Sequence, residues 1–66
     1  GMGGQLVGIE VKSASSLDAK HFRGLRALQS LVGEKFHRGI ILYTGQELIA
    51  FGKNLYAVPV SALWEF

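Results

Sequence analysis

The 66-residue chain has no cysteine, which excludes a disulfide framework and any cysteine-ligated zinc site. Its two histidines, His21 and His37, are too few and too far apart for a metal signature of spaced His, Cys and acidic residues. No apolar run approaches the ~20 residues that span a bilayer, so no membrane partner is expected. The N-terminus lacks the basic-then-apolar pattern of a signal peptide, and a cytoplasmic location follows by default. The serines Ser13, Ser15 and Ser16 have no neighbouring His–acid pattern that would mark a nucleophile. The glycines match no dinucleotide fingerprint in a strand-to-helix turn. Internal repeats and low-complexity segments are also missing.

Hydrophobic residues make up 48% of the chain and charged residues 18%, a globular composition. A chain this short buries only ~60% of its extended-chain surface. Small domains without disulfides or metals are usually stabilised by association, so either a second chain or a larger parent domain is expected. Gly1 ahead of Met2 reads as a residue left by tag cleavage, and residues 1–4 as a flexible lead-in to a single domain over residues 5–66. The net charge is +2, a weak nucleic-acid signal by itself. Its distribution says more. Lys12, Lys20, Arg23, Arg26, Lys35 and Arg38 face only Asp18 and Glu34 over residues 12–38, whereas the remainder is net acidic.

Hydropathy patterning orders the elements. Residues 6–12 read as a strand, with Val7, Ile9 and Val11 on one face and Leu6, Gly8, Glu10 and Lys12 on the other. Ser15 or Ser16 can cap the helix that follows, and Asp18 suits its first turn. Residues 17–32 read as an amphipathic helix with Phe22, Leu25, Leu28, Leu31 and Val32 on its apolar stripe. Gly24 within it costs ~1 kcal/mol relative to Ala, a choice that fits close approach to a sheet. Gly33 ends the helix. Residues 38–44 form a second strand, apolar on both faces and so expected to be covered on both. Residues 47–51 and 55–58 are short strands around a Gly52-Lys53-Asn54 turn. Pro59 stops the last strand, and residues 60–64 make a short helical turn. The resulting fold class is α/β: a mixed sheet in β-α-β-β-β order, one main helix, and a parallel right-handed crossover between the first two strands.

Three segments carry a resemblance. Val7-Gly8-Ile9-Glu10-Val11-Lys12 resembles the (D/E)xK half of a PD-(D/E)xK nuclease motif. Phe22-Arg23-Gly24-Leu25-Arg26, Gly39-Ile40-Ile41-Leu42-Tyr43-Thr44-Gly45 and Pro59-Val60-Ser61-Ala62-Leu63-Trp64 together resemble the C-terminal end of a prokaryotic P-loop ATPase family. That region is catalogued as a domain of unknown function with a restriction-endonuclease-like fold, which implies a partial fold of that kind here. The resemblance covers essentially residues 5–64. The chain has no G-x-x-x-x-G-K-[ST] motif, and only Gly-Met-Gly-Gly-Gln stands before Leu6, where the family carries a helix and two strands with the acidic residue that completes such a site. The resemblance therefore implies an N-terminally truncated piece, the C-terminal half of such a domain, either a gene remnant or a fragment.

By that resemblance Glu10 would be a metal ligand for Mg²⁺ and Lys12 the group that orients water or stabilises charge. Alternation places their side chains on one strand face, ~6–7 Å apart. A single carboxylate makes a poor Mg²⁺ site, and the plain alternative is the polar side of a half-exposed strand. Lys20, Arg23 and Arg26 could contact phosphates or form a solvated helix face. Tyr43, Tyr56 and Trp64 fit core or interface packing better than base stacking. Leu48, Ile49, Phe51, Leu55, Tyr56, Val58, Val60, Leu63, Trp64 and Phe66 crowd the last third of the chain, more than one helix can cover. Together with an open strand edge, they lead to an expected homo-oligomer, most simply a two-fold dimer. The leading functional expectation is a non-catalytic, self-associating domain derived from the ATPase family's C-terminal region. The alternatives are a metal-dependent nuclease completed by a partner or further segment, and a nucleic-acid-binding module using the basic helix face. The chain alone leans away from an enzyme.

Overall fold

The computed structural model describes residues 4–64. The lead-in residues Gly1 to Gly3, and Phe66 of the apolar C-terminal third, lie outside the described residues. Strand β1 spans Leu6–Val11, helix α1 Arg23–Val32, β2 Phe36–Tyr43, β3 Ile49–Gly52 and β4 Leu55–Pro59. Single 3-10 turns precede and follow α1, and another covers Val60–Trp64. The expected order of strand, helix, strand and hairpin is therefore present, with the short helical turn at its end.

The sheet order is β1-β2-β4-β3. β1 and β2 are parallel, as a strand–helix–strand unit requires. The hairpin adds to the sheet through its second strand: β4 runs parallel to β2, and β3 pairs antiparallel with β4 at the outer edge. The turn uses Gly52 at φ 142° and Asn54 at φ 62°, a conformation that glycine and asparagine adopt most readily.

Gly8 of β1 and Gly39 of β2 are register partners, and side by side they form a trough under α1. An ideal Cβ on Gly8 would lie 2.7 Å from Leu25 Cδ2, and one on Gly39 would lie 3.2 Å from Leu25 Cδ1. Leu25 thus fills the space that two side chains would occupy. Around it the core contains Phe22, Phe36, Ile41, Tyr43, Leu55 and Ala57. Phe22 stacks on Phe51, with ring centroids 4.6 Å apart.

Three local expectations are corrected. The helix begins as a 3-10 turn at Ala19–Phe22, and its cap is Asp18, not Ser15 or Ser16. The Asp18 carboxylate accepts from the Lys20 backbone N–H at 3.0 Å. Nδ1 of His21 lies 3.1 Å from both the Asp18 backbone N–H and its carboxylate. A neutral ring accepts from the N–H and a protonated ring donates to the carboxylate, so His21 takes the place of the Glu or Gln of a capping box. Leu31 is 82% exposed, because five apolar residues exceed the arc of helix that one sheet face covers. Finally, β2 begins at Phe36, whose ring joins the core.

Candidate functional site

The two faces of the sheet differ. Gly8, Ile41, Tyr43, Leu55 and Ala57 are buried toward α1. On the other face Val7, Ile9 and Val11 are 50%, 60% and 73% exposed, and Leu48 is 66% exposed. Ile40, Leu42, Tyr56 and Val58 continue that face as half-buried residues. A groove of about 180 Å³ between Arg38, Ile40, Leu48, Tyr56 and Val58 lies within it. The Arg38 guanidinium sits 5.8 Å from the Tyr56 ring centroid, a cation–π distance.

Glu10 lies on the helix side of β1, and Lys12 follows directly after the strand's last residue, Val11. The Glu10 carboxylate lies beneath Gly24, whose ideal Cβ would stand 3.6 Å from Oε2 and 3.7 Å from Oε1. Oε2 is buried and has no hydrogen-bond partner, which is costly for a carboxylate oxygen. The Lys12 backbone N–H donates to the Leu42 carbonyl at 2.9 Å, which fixes the strand end. No ion pair joins Glu10 to Lys12 among the described residues. An orphaned carboxylate oxygen suits a cation, but the donor set stops there. Among the described residues no group of three His, Asp or Glu side chains is placed to hold a metal ion. One chain therefore does not fit Mg²⁺ by itself.

Of Lys20, Arg23 and Arg26, all exposed, Arg26 is also engaged within the fold. Arg26 Nη2 donates to the Phe51 carbonyl at 2.8 Å, and Gln29 Nε2 donates to the Lys53 carbonyl at 3.2 Å. This pair ties α1 to the β3–β4 hairpin. Lys20 and Arg23 are exposed. Sequence reasoning missed the anchoring role of Arg26, for which the chain carries no local signal, since its acceptor lies 25 residues away.

A larger cavity of about 400 Å³ opens at the carboxyl end of β2, between Ser15, Ser16, Leu17, Tyr43, Gln46, Glu47 and Ile49. Tyr43 Oη donates to the Glu47 carbonyl at 2.5 Å and braces its floor. Neither Glu10 nor Lys12 lines it. The Asp18 carboxyl titrates below its ordinary value. Burial, the largest influence, works to raise it, but the Lys20 backbone N–H, the His21 ring and the Lys20 charge together lower it.

These features define a small mixed α/β domain with one helix-covered sheet face and one uncovered apolar face. No helix is long and apolar enough to cross a membrane among the described residues. The family model described as a domain of unknown function, DUF4143, matches residues 2–63, and the chain belongs to that family. No curated protein and no solved structure matches it.

Proposed function

We propose that this chain is a non-catalytic association domain, derived from the nuclease-like C-terminal region of an ATPase family, that packs its uncovered sheet face against a second copy of itself. The observation that carries this reading is the apolar surface over Val7, Ile9, Val11, Ile40, Leu42, Leu48, Tyr56 and Val58. Shape supports it. The radius of gyration is 12.0 Å, against about 11 Å for a compact domain of this length. The shortest dimension is 16 Å, which accommodates the sheet and a single helix layer.

Sedimentation equilibrium tests the reading. The expected species has at least twice the 7.2 kDa chain mass, and Val58→Asp shifts it toward smaller species. A 7.2 kDa species at every accessible concentration would sink it.

A second reading is favoured by one specific observation, the buried, unpartnered Oε2 of Glu10. It supports a metal-dependent phosphodiesterase whose remaining carboxylates come from another chain or segment, with Lys12 beside the site. Calorimetric titration of Mg²⁺ and Mn²⁺, with Glu10→Ala as control, separates the two readings. Binding that depends on Glu10 favours the second.

A further inference from the structure

We propose that the cavity at the carboxyl end of β2 is a binding site for a primary alkylammonium group. It shares no residue with the uncovered sheet face, and neither Glu10 nor Lys12 lines it. The site therefore stands apart from both the association reading and the metal reading.

Position is the first argument. β1, β2 and β4 run parallel, so their carboxyl ends lie at one end of the sheet. Open α/β sheets hold ligands in the crevice outside those ends. Here the loop after β1 supplies Ser15, Ser16 and Leu17. The end of β2 and the loop after it supply Tyr43, Gln46 and Glu47, and Ile49 at the start of β3 completes the lining. The volume of about 400 Å³ falls within the range of small-molecule pockets.

The walls are fixed before any ligand arrives. The Thr44 N–H donates to the Ala14 carbonyl at 2.9 Å, which extends the pairing of β1 with β2 into the two loops. Gly45 passes so close that a Cβ there would strike the Tyr43 ring and stand 2.8 Å from the Ser15 carbonyl. Tyr43 is buried in the core, yet its hydroxyl is spent on holding the Glu47 carbonyl. Leu17 and Ile49 both pack against the core. A site held in place this way loses little conformational freedom on binding.

The chemistry of the lining selects the ligand. Among the described residues, no hydrogen bond or ion pair engages the side chains of Ser15, Ser16, Gln46 or Glu47. Of the lining's polar side chains only Tyr43 is already committed. Glu47 is the one charged residue of the lining, and no Lys or Arg contributes to it. That charge disfavours phosphates, carboxylates and nucleotides. The Tyr43 ring is buried, so no open aromatic face is offered to a base. An ammonium group has three donors and no acceptor. The Glu47 carboxylate, the two serine hydroxyls and the Gln46 amide oxygen all accept. Leu17 and Ile49 supply apolar surface for the methylenes beside the charge. A free amine and a lysine side chain on a peptide share this chemistry.

Amide chemical-shift titrations of the intact chain test the assignment. Pentylamine at neutral pH represents the free amine, and Nα-acetyl-lysine-N-methylamide the peptide-borne one. Saturable shifts confined to residues 14–17 and 44–49 are expected, with a millimolar Kd for ligands of so few atoms. Glu47 is exposed, so Glu47→Gln keeps the fold, and it weakens binding about fivefold. Pentanol, which matches the shape of pentylamine without its charge, binds at least about fivefold more weakly. The tighter of the two ammonium probes identifies the source of the ligand. Shifts that spread over the chain or do not saturate would overturn the assignment. Pentanol binding as well as pentylamine, or Glu47→Gln binding as tightly as the parent, would overturn it too. None of these results bears on oligomeric state, so the association reading is tested separately.

Discussion

Gly39→Ala and Gly24→Ala are the same chemical change, and the structure assigns them opposite signs. Gly39 lies in the middle of β2. An ideal Cβ there would stand 2.8 Å from Leu55 Cδ2, 2.9 Å from Phe36 Cζ and 3.2 Å from Leu25 Cδ1. Those side chains are 0%, 6% and 3% exposed, so none has open space to move into. Overpacking of this kind costs about 1–3 kcal/mol. A 66-residue domain has only about 3–10 kcal/mol of stability, so the loss is a large fraction of it. With a urea slope near 1 kcal/mol per M for so small a chain, the midpoint should fall by about 2 M. Gly24 differs. Its Cβ would meet only the Glu10 carboxylate, at 3.6–3.9 Å, an ordinary contact. Alanine there gains up to about 1 kcal/mol of helix propensity, less near a helix end. Urea unfolding at one fixed, dilute protein concentration removes the contribution of association. The reasoning is refuted if Gly39→Ala unfolds within about 0.5 kcal/mol of the parent. It is refuted equally if Gly24→Ala loses more than about 1 kcal/mol, since the structure gives that methyl nothing to strike.

Arg26→Ala should lose about 1 kcal/mol through the hydrogen bond to the Phe51 carbonyl, while Lys20→Ala and Arg23→Ala stay within about 0.5 kcal/mol; chemical denaturation of the three variants checks this. Asp18 has a folded carboxyl value below its unfolded value of 3.8. The stability it contributes is therefore fully present above that value and is lost as pH falls through the lower folded one. Melting curves at a series of acidic pH values should show Asp18→Asn losing this dependence.

Much of the fold was legible in the sequence because its signals are local. The alternation of β1, the helical stripe from Phe22 to Val32, the glycine stop at Gly33 and the Gly52–Asn54 turn each depend on neighbours within a few residues. Sheet order was less accessible. β4 slots between β2 and β3, and that choice is made by Leu55 and Ala57 entering the core beside Ile41, a contact between distant parts of the chain. The cap was missed for a different reason. Asp18 and His21 have capping-box spacing, but histidine is not the usual third residue, and the serines before it were the more familiar signal. The site was legible in part: alternation turned Glu10 away from the Val7–Ile9–Val11 face, as the structure has it, yet nothing local showed that Gly24 would roof Glu10 and leave Oε2 without a partner.

The division of β1 into faces has a consequence for function. Hydrophobicity alone assigns Val7, Ile9 and Val11 to the core and Gly8 with Glu10 to solvent. The helix does the reverse, because Gly8 and Gly39 open a trough that admits Leu25, whereas β-branched side chains would hold the helix away from the sheet. The most apolar face of the strand is thereby left uncovered in one chain. An uncovered row of valine and isoleucine beside an unpaired strand edge is a hazard for an isolated domain. It becomes a stabilising contact once a second layer or strand is present. Under the proposed association, burying that row would offset the small core of so short a chain, and folding and assembly would then be coupled.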